Sequence, residues 1–82
     1  MFKILSERLV RCRKEAGLTQ AQIAIYADIT EKAYQNYEAM RREPRLEILI
    51  RIADIFGVSL DYLVGRTDEK TMKKKESDGR FV

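Results

Sequence analysis

The sequence predicts an all-α fold, a compact five-helix bundle followed by a C-terminal tail. Apolar residues recur at spacings of three and four, the period of an amphipathic helix. Glycines and capping residues separate these periodic segments at short intervals. No segment shows the sustained alternation of apolar and polar residues that predicts a half-buried strand. The elements are therefore expected to be helices joined by short turns.

Composition narrows the class of protein. With 82 residues the chain forms one domain at most, and 45% hydrophobic with 35% charged residues is a globular balance. No stretch approaches the ~20 apolar residues that span a membrane, and the N-terminus lacks a signal-peptide pattern. We therefore expect a cytoplasmic protein with no membrane partner. The net charge of +3 fits an anionic partner without identifying one.

The first helix is predicted from the spacing of Leu5, Leu9, Cys12 and Ala16, which fall on one face. It ends at Gly17, a residue that tolerates the positive φ common after a helix. Cys12 is interpreted as a small apolar residue on this buried face rather than as a reactive thiol.

Two short helices follow, at residues 19–27 and 30–38. Thr19 with Gln22 three residues later has the spacing of a capping box, and Thr30 is a second N-cap residue. In the second helix Ala33, Tyr34 and Tyr37 repeat the helical spacing. Two helices separated by so short a turn predict an αα-corner.

The remaining elements are a loop, two helices and a tail. A basic loop precedes a helix that begins near Leu46 and ends at Gly57. A short last helix is capped by Ser59 and ends at Gly65. The expected inward face of the longer helix comprises Leu46, Leu49, Ile52, Ala53 and Phe56. Residues 1–65 are thus predicted to form the folded domain, and residues 66–82 a basic, mobile tail with few apolar side chains.

Many positions of this chain, in order and spacing, resemble the Cro and phage-repressor-like (XRE-type) helix-turn-helix family over about residues 5–64. They are Gly17-Leu18-Thr19-Gln20, Ile23-Ala24, Thr30, Tyr34, Tyr37-Glu38, Arg42, Pro44, Leu46, Ile52-Ala53 and Phe56-Gly57-Val58-Ser59. The resemblance implies a lambda-repressor-like five-helix bundle that binds double-stranded DNA as a dimeric transcriptional regulator, with repression as the expected mode. A major groove is wide enough for one helix, and its base edges carry a distinguishable pattern of donors and acceptors.

The resemblance also implies the binding residues. Helix 30–38 would be the recognition helix, with Glu31, Lys32 and Asn36 facing bases. Asn pairs bidentately with adenine, Lys reaches guanine acceptors, and a carboxylate accepts from cytosine N4. The complete expected DNA-binding set is Gln20, Thr30, Glu31, Lys32, Gln35, Asn36, Arg41 and Arg42. Gln20 would contact the sugar-phosphate backbone, Gln35 would lie next to it, and Arg41 and Arg42 would contact it or the adjacent minor groove. By the same resemblance, Arg13 and Glu38 would pair to tie the first helix to the end of the recognition helix.

Three positions depart from the family pattern. Asp28 and Met40 stand where glycine is common. Strain of up to ~1 kcal/mol is expected at Asp28, and the sequence does not define the loop path after Glu38. Arg45 replaces a capping serine, which removes a cap worth ~1 kcal/mol. None of these changes is expected to prevent the fold.

Alternative functions follow from the same residues. A protein-interaction module or antitoxin with this fold is favoured by Glu31, whose carboxylate repels phosphates. An enzyme is disfavoured because the chain has no histidine and no glycine-rich phosphate loop, and because Asp54 and Asp61 are expected to face solvent. No catalytic residue, metal site or cofactor is predicted. A homodimer is expected, and residues 58–64 with Tyr62 could form its interface or belong to the core.

Overall fold

The computed structural model describes the backbone of residues 2–71 and the side chains of residues 3–71. Within that range the chain forms five α-helices and no strand, so the predicted all-helical class is confirmed. The helices are α1 (Phe2–Ala16), α2 (Gln20–Ala27), α3 (Glu31–Glu38), α4 (Leu46–Phe56) and α5 (Leu60–Leu63). None of these helices is long and apolar enough to cross a membrane.

All five helices end in the same way. The first or second residue after each helix has a positive φ, and its N–H donates to the carbonyl three residues earlier. The next N–H donates to the carbonyl five residues before it. This pair of bonds satisfies carbonyls that a helix end leaves without partners. The residues with positive φ are Gly17, Asp28, Met40, Gly57 and Gly65.

Side chains cap the beginnings of three helices. The hydroxyls of Thr19, Thr30 and Ser59 each accept a hydrogen bond from the backbone N–H three residues later. The capping box predicted at Thr19 is confirmed, because the Gln22 side chain accepts from the Thr19 N–H at 2.8 Å. Arg45 occupies the N-cap position of α4 and makes no side-chain capping hydrogen bond. This agrees with the loss of a cap predicted from the replacement of serine by arginine.

The core lies between α1 and the other helices. Helix α1 packs against α3, α4 and α5, while α2 packs against α3 and α4. Apolar side chains from every helix are buried there. Cys12 is among them, which confirms its apolar interpretation, and burial raises the pKa of its thiol. The largest fully buried side chains are Tyr34, Tyr62, Leu5, Leu9, Ile23, Ile52 and Leu63.

Two residues predicted to face the core lie outside it. Leu46 is 63% exposed because it is the first residue of α4, and the buried face of that helix begins only at Ile48. Ala16 is exposed as the last residue of α1. Of the two interpretations of Tyr62, the core is the right one, since this side chain is 2% exposed.

Residues 66–71, which the sequence assigns to a tail, are bonded to the bundle. Arg8 on α1 donates to the carbonyls of Tyr62 and Thr67 at 2.6 and 2.7 Å and to the Asp68 carboxylate at 2.9 Å. The ammonium of Lys70 pairs with Glu15 at 2.9 Å. The structure thus joins residues 66–71 to the bundle, while the mobility expected of the tail stays a prediction. Residues 72–82 lie outside the described residues, and the domain boundary at residue 65 stays a prediction.

Candidate nucleic-acid interface

Helix α3 divides into a buried side and an outward side. Tyr34 and Tyr37 are 0% and 6% exposed, and their rings meet edge to face with centroids 6.4 Å apart. This aromatic pair fixes the helix against the core. Glu31 and Lys32 are exposed, and Gln35 and Asn36 are half-buried. The helical spacing therefore places the four predicted polar residues on the side opposite the tyrosines.

Glu38, the last residue of α3, connects this helix to α1 and α2. Its carboxylate accepts hydrogen bonds from Arg13 on α1 at 2.7 and 3.2 Å and from the Gln20 amide on α2 at 3.0 Å. Its backbone carbonyl accepts from the Ser6 hydroxyl. The Arg13–Glu38 pair predicted from the family resemblance is thus present, and Gln20, predicted only as a DNA contact, also joins it.

The charge state of this cluster is fixed by its surroundings. Burial acts to raise the pKa of Glu38, but the hydrogen bonds from Arg13 and Gln20 and the nearby Tyr34 hydroxyl hold it below its ordinary value. Burial, together with the Glu38 charge, raises the pKa of Tyr34. Glu38 is therefore ionised and Tyr34 neutral near pH 7, which keeps the ion pair intact.

Three of the four outward side chains have partners within the chain. The Gln35 amide donates to the Glu31 carboxylate at 3.3 Å, one helical turn away. The Asn36 side-chain oxygen accepts from the Arg41 guanidinium at 3.2 Å. Lys32 makes no hydrogen bond or ion pair with any described residue. Lys32 is therefore the outward residue of α3 that is available without breaking a contact.

A groove of about 620 Å³ runs beside α3. It is bounded by the α3 residues Lys32 and Asn36 on one side and by the loop before α4 on the other. The polar side chains that line it are Thr30, Lys32, Asn36, Arg42, Glu43 and Arg45. Three of these side chains are cations and one is a carboxylate, so the charge of the groove favours an anionic ligand.

Arg45 was not among the predicted binding residues, yet it lines this groove. The available signal was its position at the start of α4, where a capping side chain is expected and a cation stands instead. Arg41 and Arg42 are both exposed in the loop that follows α3, but only Arg42 lines the groove. Gln20 lies at the start of α2, where it is half-buried.

Among the described residues, no cluster of histidine, cysteine, aspartate or glutamate could hold a metal ion. Asp54 and Asp61 are exposed, as predicted.

One family model matches most of the chain. The family model described as helix-turn-helix matches residues 9–63, which include all of α2, α3, α4 and α5. The chain belongs to the helix-turn-helix family. The matched range contains the Arg13–Glu38 pair and the residues that line the groove.

Curated relatives include transcriptional regulators from several bacteria. The chain is 45% identical over 71 residues to the Bacillus subtilis uncharacterized HTH-type transcriptional regulator YqaE, covering 85% of this chain and 61% of that protein. It is 42% identical over 67 residues to the cryptic phage CTXphi transcriptional repressor RstR of Vibrio cholerae, covering 79% and 60%. It is 33% identical over 69 residues to the uncharacterized HTH-type transcriptional regulator y4dJ of Sinorhizobium fredii, covering 84% and 90%.

The chain spans about three fifths of the length of the first two of these relatives. The three relatives are named as regulators of transcription and not as enzymes. No solved structure matches the chain.

Proposed function

We propose that this chain is a sequence-specific double-stranded DNA-binding protein that regulates transcription, as a repressor, by inserting α3 into the major groove. The observation that carries the proposal is the division of α3. One side is fixed in the core by Tyr34 and Tyr37, while the other presents four polar side chains next to a cation-lined groove. A short helix can read bases only when its neighbours hold it at the surface in this way.

The outward side chains match the chemistry of base edges. Lys32 can donate to the O6 and N7 acceptors of guanine, and the Glu31 carboxylate can accept from the N4 amino group of cytosine. Asn36 can bind a purine through its amide. Gln35, bonded to Glu31, would lie next to the sugar-phosphate edge. Base preference would therefore depend mainly on Glu31, Lys32 and Asn36.

The remaining proposed contacts hold the sugar-phosphate backbone. Thr30 and Gln20 lie at the starts of α3 and α2, where backbone N–H groups lack helical partners and favour a phosphate. Arg41 and Arg42 supply exposed positive charge in the loop after α3. These contacts would set orientation and affinity without distinguishing sequences.

A homodimer is part of the proposal. One recognition helix reads only a few base pairs, and two copies on half-sites about one helical turn apart supply the missing specificity. The site of action would be the cytoplasm, where the DNA target lies. No enzymatic activity is proposed.

An interaction module that binds a partner protein, as an antitoxin does, is the second candidate. Glu31 favours it, because an exposed carboxylate on the reading side repels phosphates. Ile25 and Tyr26 on α2 also favour it, since these apolar side chains are 74% and 58% exposed. This module would use the same fold without needing DNA.

Gel retardation on a pool of random duplexes separates the two candidates. A DNA-binding protein should retard the pool at low salt, with an affinity that falls steeply as salt rises, and should enrich one half-site on repeated selection. Failure to retard any duplex at low salt, with the protein folded, would overturn the DNA-binding proposal and leave the interaction module.

A further inference from the structure

Asn36 and Arg41 are joined twice. The backbone N–H of Arg41 donates to the backbone carbonyl of Asn36 at 2.9 Å, and the Arg41 guanidinium donates to the Asn36 side-chain oxygen at 3.2 Å. The first bond follows from the left-handed conformation of Met40, which turns the chain back over the last turn of α3. The helix ending therefore places the Arg41 side chain beside Asn36, so the second contact is local and needs no long approach.

The side-chain contact has a chemical consequence for Asn36. Its amide carries one oxygen acceptor and one NH₂ group with two donors. Bidentate binding of adenine needs both halves at the base edge, because adenine presents an N7 acceptor beside an N6 amino donor. The Asn36 oxygen is engaged by Arg41 from the loop side. One lone pair of this oxygen is then occupied, while both N–H donors of the NH₂ group stay available to a base.

Guanine fits that arrangement better than adenine does. Its major-groove edge presents two acceptors, N7 and O6, which match the two donors of an amide NH₂ group. The N6 amino group of adenine would have to donate to the oxygen that Arg41 already engages, in competition with the guanidinium. Lys32, on the same side of α3, is also a donor and has no partner in the described chain.

We infer that Arg41 is a positioning residue that turns the Asn36 amide so that Asn36 selects guanine over adenine in the bound DNA. This inference rests on the proposed DNA-binding function. It assigns to Arg41 a role in base preference in addition to the contribution that its charge makes to affinity. The two roles are separable because a charge near the phosphates acts on all sequences alike.

Arg42 is the matched control. It is the next residue in the chain, carries the same charge and is exposed like Arg41, but it has no described contact with Asn36. Loss of Arg42 should therefore weaken binding without changing which base is preferred. Both arginines are on the surface, so neither substitution should prevent folding, and Arg41→Met serves as a second variant that keeps the apolar stem of the side chain.

The experiment selects bound sites from a random duplex pool and then measures competition between duplexes that differ at one base pair. The pair read by Asn36 is the one whose preference disappears in Asn36→Ala. At that pair the unchanged protein should prefer guanine. Arg41→Ala and Arg41→Met should shift the preference toward adenine by roughly fivefold or more, the size expected for one amide–base contact. In the Asn36→Ala background the same changes should shift no base preference.

Two results would overturn the inference. One is a preference for adenine at that pair in the unchanged protein. The other is an Arg41→Ala variant that loses affinity equally for all duplexes, as Arg42→Ala does. Either result leaves the proposed function standing, because the protein still binds DNA. Absence of binding to any duplex by the unchanged, folded protein would refute the proposed function itself, and the inference with it.

Discussion

The guanidinium of Arg13 on α1 donates to both carboxylate oxygens of Glu38, the last residue of α3, at 2.7 and 3.2 Å. The two side chains are only 16% and 7% exposed. The Gln20 amide on α2 bonds to the same carboxylate. A single carboxylate thus joins three helices directly beneath the proposed reading side, and its removal tests how α3 is held.

Glu38→Gln should lower the free energy of unfolding by about 1–3 kcal/mol, because it leaves the partly buried Arg13 charge without its partner. Chemical denaturation measures this. Glu47→Gln is the matched control, since Glu47 pairs with Arg51 on the exposed surface of α4 at 3.5 Å, and it should cost about 0.5 kcal/mol or less. Equal losses in the two variants would show that burial of the Arg13 pair has no energetic importance.

Stability should also depend on pH through Glu38. The folded pKa of this carboxyl lies below its ordinary value. Its contribution is therefore fully present above the unfolded pKa and is lost as the pH falls through the lower, folded pKa. Between about pH 5 and pH 2, a window set by the ordinary glutamate pKa, the unfolding free energy of Glu38→Gln should fall less than that of the unchanged protein. Parallel curves over that range would contradict this expectation.

Met40→Gly should stabilise the fold. Met40 has φ 64° at the end of α3, a conformation that costs a residue with a side chain roughly 1 kcal/mol and costs glycine little. The expected gain is about 0.5–1 kcal/mol, measured by thermal unfolding, after allowance for the freedom that glycine adds to the unfolded chain.

Gly57→Ala tests the opposite change, from glycine to a residue with a side chain, at a similar φ. Gly57 has φ 68° with open space where a side chain would extend, so only backbone strain is added and a loss of about 1 kcal/mol is expected. If Met40→Gly destabilises the protein instead, contacts of the Met40 side chain stabilise the end of α3 by more than its backbone strain costs.

Lys32→Ala and Arg42→Ala should separate base reading from backbone binding. Lys32→Ala should cost ~1–3 kcal/mol at one base pair and relax the preference there. Arg42→Ala should weaken all duplexes alike and reduce the slope of log affinity against log salt by about one unit. Titrations at several salt concentrations on selected and scrambled duplexes measure both. Identical behaviour of the two variants would refute this division of roles.

Arg8→Met should loosen residues 66–71. The change removes three hydrogen bonds and the stacking of the Arg8 guanidinium over the Tyr62 ring, 4.2 Å from its centroid. We expect a loss of about 1–3 kcal/mol. The Ser59 N–H, which donates to the Lys70 carbonyl, should exchange with solvent faster. Arg11→Met, at an exposed position on the same helix, should change neither quantity.

Local signals in the sequence predicted most of the fold. Thr19, Thr30 and Ser59 cap helices as predicted, because a cap depends on residues three positions apart. The ends at Gly17 and Gly57 were also predictable from local sequence, because glycine tolerates the positive φ common after a helix. The exposure of Leu46 was not, since periodicity gives the direction of a side chain but not where the neighbouring helix stops. The anchoring of residues 66–71 was missed because it depends on Arg8, which is distant in sequence.

The sequence also predicted only part of the candidate site. That Glu31, Lys32, Gln35 and Asn36 share the outward side follows from helical spacing and the positions of the tyrosines, and the structure agrees. Their contacts with bases stay a prediction. The Asn36–Arg41 bond could not be predicted, because it depends on the path that Met40 gives to the loop, and the sequence left that path uncertain.

The residues that fasten α3 differ from those that it presents outward. Tyr34, Tyr37 and Glu38 make the interior contacts. Three of the four outward side chains bond only within α3 or to its adjoining loop, and Lys32 bonds to no described residue. Exchanging those four for another set would thus leave the hydrophobic interior and its ion pair untouched. Under the proposed function, substitutions at these positions can therefore change the preferred operator of this protein without loss of the fold.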